Sequence, residues 1–373
     1  WVFRFKTKTC YLIFLMRECY TRPCNFYYGN YAKRLIAKKK GFPLAGNPNI
    51  AFDQLEILQR KKRKIIKSYS YSIFEINSLN KEKKTVIKAD LKKITSKRKN
   101  IQSLKFNSTQ IIGVLNVTPD SFSDGGLFFE ESKAYDQAKL MVESGATVID
   151  IGGESTRPSS KTINDQDEWD RIKNIVIKFK KNFPNIPLSL DTRKSYVMRK
   201  GIEQGVDIIN DVSGLNFDNK SFDLINSKNT PFVLHHMQGT PDIMQKNPTY
   251  DDALLDIFDF FEEKINFCIK KKFKKEFIII DPGIGFGKNL KHNLRIMSKI
   301  STFHSLGCPI LIGTSRKRFI EHIVTKFDTP DRTGGTLASV LCGLLQGVQL
   351  FRVHNVKEIN QGILVFDKIL KTN

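Results

Sequence analysis

Polar and charged residues stand at or just past the ends of short apolar runs along this chain. They are Asn116, Glu154 to Arg157, Asp191, Asn210, His236, Asp281, Ser315 to Lys317, Arg352 and His354. Taken singly, such a residue has a plain structural reading, because an Asp after a strand is often only a helix N-cap. Repeated at run after run, the placement points to one rim where they meet. Asp191, Asn210, Asp281 and Lys317 offer carboxylates, an amide and an ammonium, suited to a flat heterocycle whose edge alternates amino, ring-nitrogen and carbonyl groups. A carboxylate accepts two parallel hydrogen bonds from a guanidine-like edge and pays heavily in desolvation if left unpaired. Asn116, Thr156, Arg157, Arg352 and His354 are donors or oxygen ligands of the kind that surround phosphate. An anion site beside a heterocycle site implies a substrate carrying both.

The runs that must position them are QIIGVL (110–115), TVIDIG (147–152), PLSLD (187–191), DIIN (207–210), PFVLH (231–235), FIIID (277–281), PILIG (309–313) and VQLFRVH (348–354). Their continuous apolar character predicts strands buried on both faces, as in a parallel sheet. Amphipathic stretches of helical length lie between them, and Gly145, Gly205 and Gly307 fall where helices should end. The pattern predicts an α/β domain over residues 106–373, a (β/α)8 TIM barrel whose strand ends converge on one mouth.

The blocks NVTPDSFSDGG (116–126), DIGGESTRP (150–158), DPGIGFGK (281–288), GTSRKRF (313–319) and RVH (352–354) resemble, in this order, the dihydropteroate synthases over residues 109–370. The resemblance implies condensation of 6-hydroxymethyl-7,8-dihydropterin diphosphate with p-aminobenzoate in folate biosynthesis. It assigns a magnesium ligand to Asn116 and the pterin diphosphate to Thr156, Asp191, Asn210, Asp281, Lys317, Arg352, Val353 and His354. Of these, Lys317, Arg352 and His354 are expected to act at the reacting groups. Phe122, Thr156, Pro158, Phe286 and Ser315 are expected around p-aminobenzoate, with Asp120, Ser121, Asp124, Gly125 and Arg157 in a lid over the anion. A homodimer through barrel helices is implied, with LASVLCGLLQG (337–347) as its apolar contact or simply as core. His235 stands where relatives often have an apolar residue. Joint metal ligation by His235 and His236 is not expected, because adjacent strand residues point to opposite faces. A methyltetrahydrofolate methyltransferase is the rival on the same barrel, and it does not require the anion apparatus of GESTRP, SRK and RVH.

The net charge of +23 sits at one end: residues 1–105 hold 26 Lys and Arg against 6 Asp and Glu. That segment is expected to be a basic, poorly structured extension, either a targeting presequence or a linker. It shows no motif of an upstream pyrophosphokinase and too few aromatics for a nucleic-acid site. The six cysteines include no C-x-x-C pair. Reduced thiols are therefore expected, in a cytoplasmic or organelle-matrix setting. No apolar run approaches the ~18 residues of a membrane span.

Overall fold

The computed structural model describes residues 17–61, 64–118, 127–155, 162–240, 243–324 and 331–372, without the side chains of 64–66 and 127–130. From Cys19 onward the basic extension is folded, which corrects the expectation of a poorly structured segment. Strand β1 (Cys19–Tyr28), helix α1 (Gly29–Ala37), strands β2 (Phe42–Leu44), β3 (Asn47–Lys61) and β4 (Lys64–Ser72), and helix α2 (Lys81–Thr95) follow one another. The long β3 pairs antiparallel with each of the other strands. Alternation splits β3 between two buried faces. Leu55 and Ile57 pack with Ile73, Ile87 and Ile94 in a small core of their own, whereas Leu58 joins Tyr20 in the main core.

Several of the segment's charges are partnered. Arg60 pairs with Asp256 and, at 3.0 Å, with Asp259. Arg17 pairs with Asp90 and, at 2.7 Å, with Glu262, and the buried Glu56 takes Arg22 at 2.6 Å as well as Lys299. Asp256, Asp259 and Glu262 lie on the barrel helix Ala253–Lys270, spaced to share one stripe. The Tyr20 hydroxyl donates to Asp259 at 2.7 Å, and its ring stands edge-on to Phe258 with centroids 5.1 Å apart. Because Asp256 and Asp259 keep 24% and 30% exposure, Arg60→Met should cost about 2 kcal/mol, less than the roughly 3–5 of a fully buried pair. Urea unfolding measures this, and an unchanged midpoint would mean the sheet lends the barrel nothing at that contact.

The barrel strands are β5 (Gln110–Asn116), β6 (Val148–Gly152), β7 (Leu188–Asp191), β8 (Ile208–Asp211), β9 (Phe232–His235), β10 (Ile278–Asp281), β11 (Leu311–Ile312) and β12 (Leu350–Val353). All pairs are parallel, in the order β10-β9-β8-β7-β6-β5-β12-β11. A parallel bridge between Ile280 and Ile310 joins the two ends of that order. The runs predicted from sequence are these strands, and the TIM barrel expected from them is the observed fold. Between them lie α3 (Leu127–Glu143), α4 (Asp165–Asn182), α5 (Ser195–Glu203), α6 (Ser221–Lys228), α7 (Ala253–Lys270), α8 (Leu290–Ser298), α9 (Arg318–Ile323) and α10 (Thr333–Leu344), with α11 (Val356–Leu370) last. Helix α4 illustrates the local logic. Asn164 caps it by accepting from the Asp167 amide, and Trp169, Ile172, Val176 and Phe179 form the stripe it buries. The described Cys19, Cys24, Cys268, Cys308 and Cys342 are free thiols. Among the described residues no helix is long and apolar enough to cross a membrane.

Candidate active site

Strand alternation places the site. Ile112, Val148, Ile208, Val233, Ile279, Leu311 and Leu350 meet Ile101, Leu104 and Phe106 in one apolar cluster, which closes the amino end of the bore. Two residues along a strand the side chain returns to the same face. Asp150, Asn210, His235, Asp281 and Arg352 therefore make the next layer toward the mouth, all of them buried. Asp191 stands level with Asn210 and with Gly152 in the strand register.

This polar layer is only partly satisfied from within. Asn210 Nδ2 donates to Asp150 Oδ2 at 3.0 Å. Arg352 Nη2 donates to Asp281 Oδ2 at 3.0 Å, and its Nη1 lies 3.8 Å from Asp150. The Gly283 amide donates to the other Asp281 oxygen at 2.8 Å. Asp150 Oδ1, Asp191 Oδ1, Asn210 Oδ1, His235 Nε2 and Arg352 Nη1 are buried without a hydrogen-bond partner in the chain. A buried polar atom left in that state costs about 1–3 kcal/mol, so a cluster of them from neighbouring strands is built for a polar ligand. Burial raises the pKa of Asp281, an effect that Arg352 opposes. Asp191 is pushed well above the carboxylate range by burial and then by the Asp150 charge. Burial works against the Arg352 cation as well, but Asp281, Asp150 and Asp191 outweigh it and hold its pKa up.

One wall is cationic. The Lys317 ammonium lies 3.8 Å from the centroid of the Phe286 ring, and burial, with Arg352 nearby, brings its pKa down to about 7. Gly285 makes that approach possible. Its φ is +82°, and a Cβ there would stand 3.0 Å from Lys317 Cδ. Lys288 is buried behind the wall, donating to the Phe286 carbonyl at 2.9 Å and lying 3.0 Å from His236 Nδ1. Its pKa is likewise lowered to about 7 by burial. Ser315 Oγ accepts from the His354 amide at 3.2 Å and pairs with His354 Nδ1 at 3.0 Å, which sets the ring at the rim.

The second wall is an ion network. Glu154 pairs with Arg193 at 3.0 Å and Lys194 at 3.1 Å, while Lys194 reaches Glu168 at 2.6 Å and the Ile163 carbonyl at 2.7 Å. The Ile163 amide donates to Glu154 in turn. The chain just before and just after residues 156–161 is thereby tied to one cluster.

Of the residues singled out from sequence, Asn116, Asp191, Asn210, Asp281, Phe286, Ser315, Lys317, Arg352 and His354 sit on the barrel's mouth side, at strand ends or in the loops that follow. Val353 packs its side chain in the core, so only its backbone faces this end. Asp120, Ser121, Phe122, Asp124, Gly125, Thr156, Arg157 and Pro158 lie outside the described residues. His235 and His236 diverge as expected: His235 is in the bore, and His236 stacks edge-on against Phe260 at 4.9 Å. Sequence reading gave no role to Asp150, Lys288, Arg193 or Lys194. A lone acid inside the apolar run TVIDIG was a usable signal for Asp150.

Fold and floor together define a β/α-barrel enzyme whose mouth holds buried polar atoms suited to a polar ligand. The family described as "Pterin binding enzyme" matches residues 112–354. The chain is 37% identical over 268 residues to the dihydropteroate synthase of Escherichia coli K12, covering 72% of this chain and 94% of that one. The Xanthomonas albilineans dihydropteroate synthase structure with 4-aminobenzoic acid superposes with a TM-score of 0.67 at 33% identity, covering 72% of this chain and 96% of that one. The structure of that enzyme with 7,8-dihydropteroate gives 0.65 at 31% identity, with 72% and 97% covered. The chain belongs to the dihydropteroate synthase family.

Proposed function

We infer that the chain has dihydropteroate synthase activity in folate biosynthesis, and that it joins the pterin diphosphate to p-aminobenzoate through the residues of this mouth. The observation that carries the assignment of roles is the set of unpartnered atoms on Asp191, Asn210 and Arg352 in one buried layer beside Asp281. Asp281 takes the amino-pyrimidine edge of the pterin, Asp191 and Asn210 the remaining ring nitrogens, and Lys317 the ring carbonyl side. Arg352 and His354 hold the diphosphate, with Thr156, Val353 and the 117–126 segment contributing further contacts. Phe286 and Ser315 line the p-aminobenzoate side, to which the family resemblance also assigns Phe122, Thr156 and Pro158.

The bond between the pterin's exocyclic methylene carbon and the diphosphate oxygen breaks first, and the electron pair leaves with diphosphate. Fixed cations aimed at that developing charge lower the barrier without reorganising. The arylamine nitrogen, held in line, then forms the new C–N bond and loses one proton to solvent. No protein nucleophile is needed. Asn116 at the end of β5 is the proposed magnesium ligand. Among the described residues no group of three or more His, Cys, Asp or Glu could hold a metal, and magnesium is commonly held by one or two protein oxygens with substrate phosphates and waters, a role the Asn116 amide oxygen suits. When bound, the ion supplies charge neutralisation to the diphosphate.

The methyltransferase alternative is disfavoured by Arg352 and His354, whose diphosphate contacts a methyl donor would leave unused. We further propose a homodimer through the outer helices, where Leu345 just past α10 and Leu364, Val365 and Ile369 of α11 are exposed. A cytoplasmic or organelle-matrix location suits the free thiols. The test of function is incubation with the pterin diphosphate, labelled p-aminobenzoate and magnesium. Labelled dihydropteroate, lost on adding EDTA, is the expected result, and its absence would remove the reading.

A pH effect follows from Lys317. Its pKa of about 7 lies below the ordinary lysine value, and a bound anion restores it, so the complex takes up a proton above pH 7. Affinity for the pterin diphosphate should fall as pH rises from 6.5 to 8.5, by up to about tenfold per unit. Calorimetric titration of Lys317→Met should give a flatter profile, and the same slope in that variant would exclude Lys317 as the origin.

A further inference from the structure

His235, like Asp150, is a member of the polar layer that the reading above leaves without a task. Its ring is fully buried, with Nδ1 3.1 Å from the Val212 carbonyl. A carbonyl only accepts, so the proton is on Nδ1 and Nε2 presents a lone pair. That Nε2 has no partner in the chain and lies 3.9 Å from Asp281 Oδ2. Two acceptors at this distance cannot satisfy each other, whereas a group with two N–H bonds lying about 2.9 Å from each would satisfy both. The surroundings keep the ring in place. Phe286 meets it edge to face, with centroids 4.7 Å apart. Gly283 leaves the space it occupies, since a Cβ there would come within 2.8 Å of His235 Cε1. Burial, and then the charges of Arg352, Lys288 and Lys317, hold the imidazole well below its usual pKa, so the lone pair persists at neutral pH.

We propose that His235 is a further substrate-binding residue, whose Nε2 accepts a hydrogen bond from the exocyclic amino group of the pterin beside Asp281. The proposal rests on the pterin reading of this mouth and adds a specificity element to it. Two neighbouring acceptors, one charged and one neutral, select a ring that presents an amino group over one that presents a carbonyl there. Burying an acceptor against an acceptor is penalised, which is how polar sites reject the wrong isostere.

The experiment is calorimetric binding of 6-hydroxymethylpterin diphosphate, and of its counterpart with oxygen in place of the amino group, to the full chain and to His235→Met, His235→Gln and Asp281→Asn. Wild type should prefer the amino compound. His235→Met should weaken that compound five- to tenfold while leaving the oxygen counterpart bound at least as well as in wild type, and His235→Gln, which keeps an acceptor, should recover most of the loss. KM for p-aminobenzoate should stay within twofold. The same amino-over-oxygen ratio in His235→Met as in wild type would overturn the proposal while leaving the pterin reading intact. Failure of wild type to bind either compound would instead remove the pterin reading itself. As a check independent of any variant's folding, the Nε2 nitrogen resonance of wild-type His235 should move when the amino compound binds, and a stationary resonance counts against the hydrogen bond.

Discussion

Asp281→Ala is expected to abolish turnover, with kcat/KM down by at least about a thousandfold. The carboxylate is fully buried at the end of β10, oriented by the Gly283 amide on one oxygen and Arg352 on the other. It is the anchor proposed for the amino-pyrimidine edge. Losing two charge-assisted hydrogen bonds to that edge removes roughly 4 kcal/mol, and each ~1.4 kcal/mol is a factor of ten in rate. Steady-state kinetics with labelled p-aminobenzoate measures the effect. The loss should appear in the pterin parameters first, and near-normal kinetics would withdraw Asp281 from the site.

Arg352→Ala should do two things at once. Turnover should vanish, because the guanidinium is both the proposed diphosphate ligand and the cation that keeps Asp281 oriented. Stability should fall by about 3–5 kcal/mol, the usual result of leaving buried carboxylates without their counter-charge. The pH dependence distinguishes this from simple loss of packing. Burial already raises the pKa of Asp150, Asp191 and Asp281, and removal of Arg352 raises them further. A group whose folded pKa exceeds its unfolded value lends stability below the unfolded pKa and forfeits it as pH rises through the folded one. The deficit of Arg352→Ala should therefore be smaller at pH 5 than at pH 8 in urea unfolding. An equal deficit at both would mean the cation is not what stabilises those carboxylates.

The pH-dependent deficit and the Lys317 effect both come from the same placement of charge in low dielectric. An arginine flanked by three carboxylates stays charged, while lysines beside it lose hydration without gaining an equal partner. One side of the mouth thus holds a fixed cation and the other a titrating one, which is why pH should modulate affinity through Lys317 and stability through the carboxylates.

Much of the fold was present in local pattern. Runs such as FIIID and PFVLH, buried on both faces, can be little other than parallel strands, and a polar residue closing each one must fall at the mouth because every strand of the barrel runs the same way. Asp191, Asn210, Asp281 and Arg352 were legible for that reason. What pattern could not supply was pairing. The N-terminal segment read as solvated because Arg17, Arg22 and Arg60 pair with carboxylates distant in sequence, on α2, β3 and α7, and charge neutralised across a fold leaves no periodic trace. His235 read as an oddity for the same cause. Its meaning depends on Val212, just past β8, fixing its tautomer and on Asp281, at the end of β10, standing 3.9 Å away. The amino-acid order alone thus determined which residues reach the mouth, since that depends on strand period and direction. Only the tertiary structure decided which of them are left wanting a partner there, because a hydrogen bond is settled by distance and not by spacing along the chain.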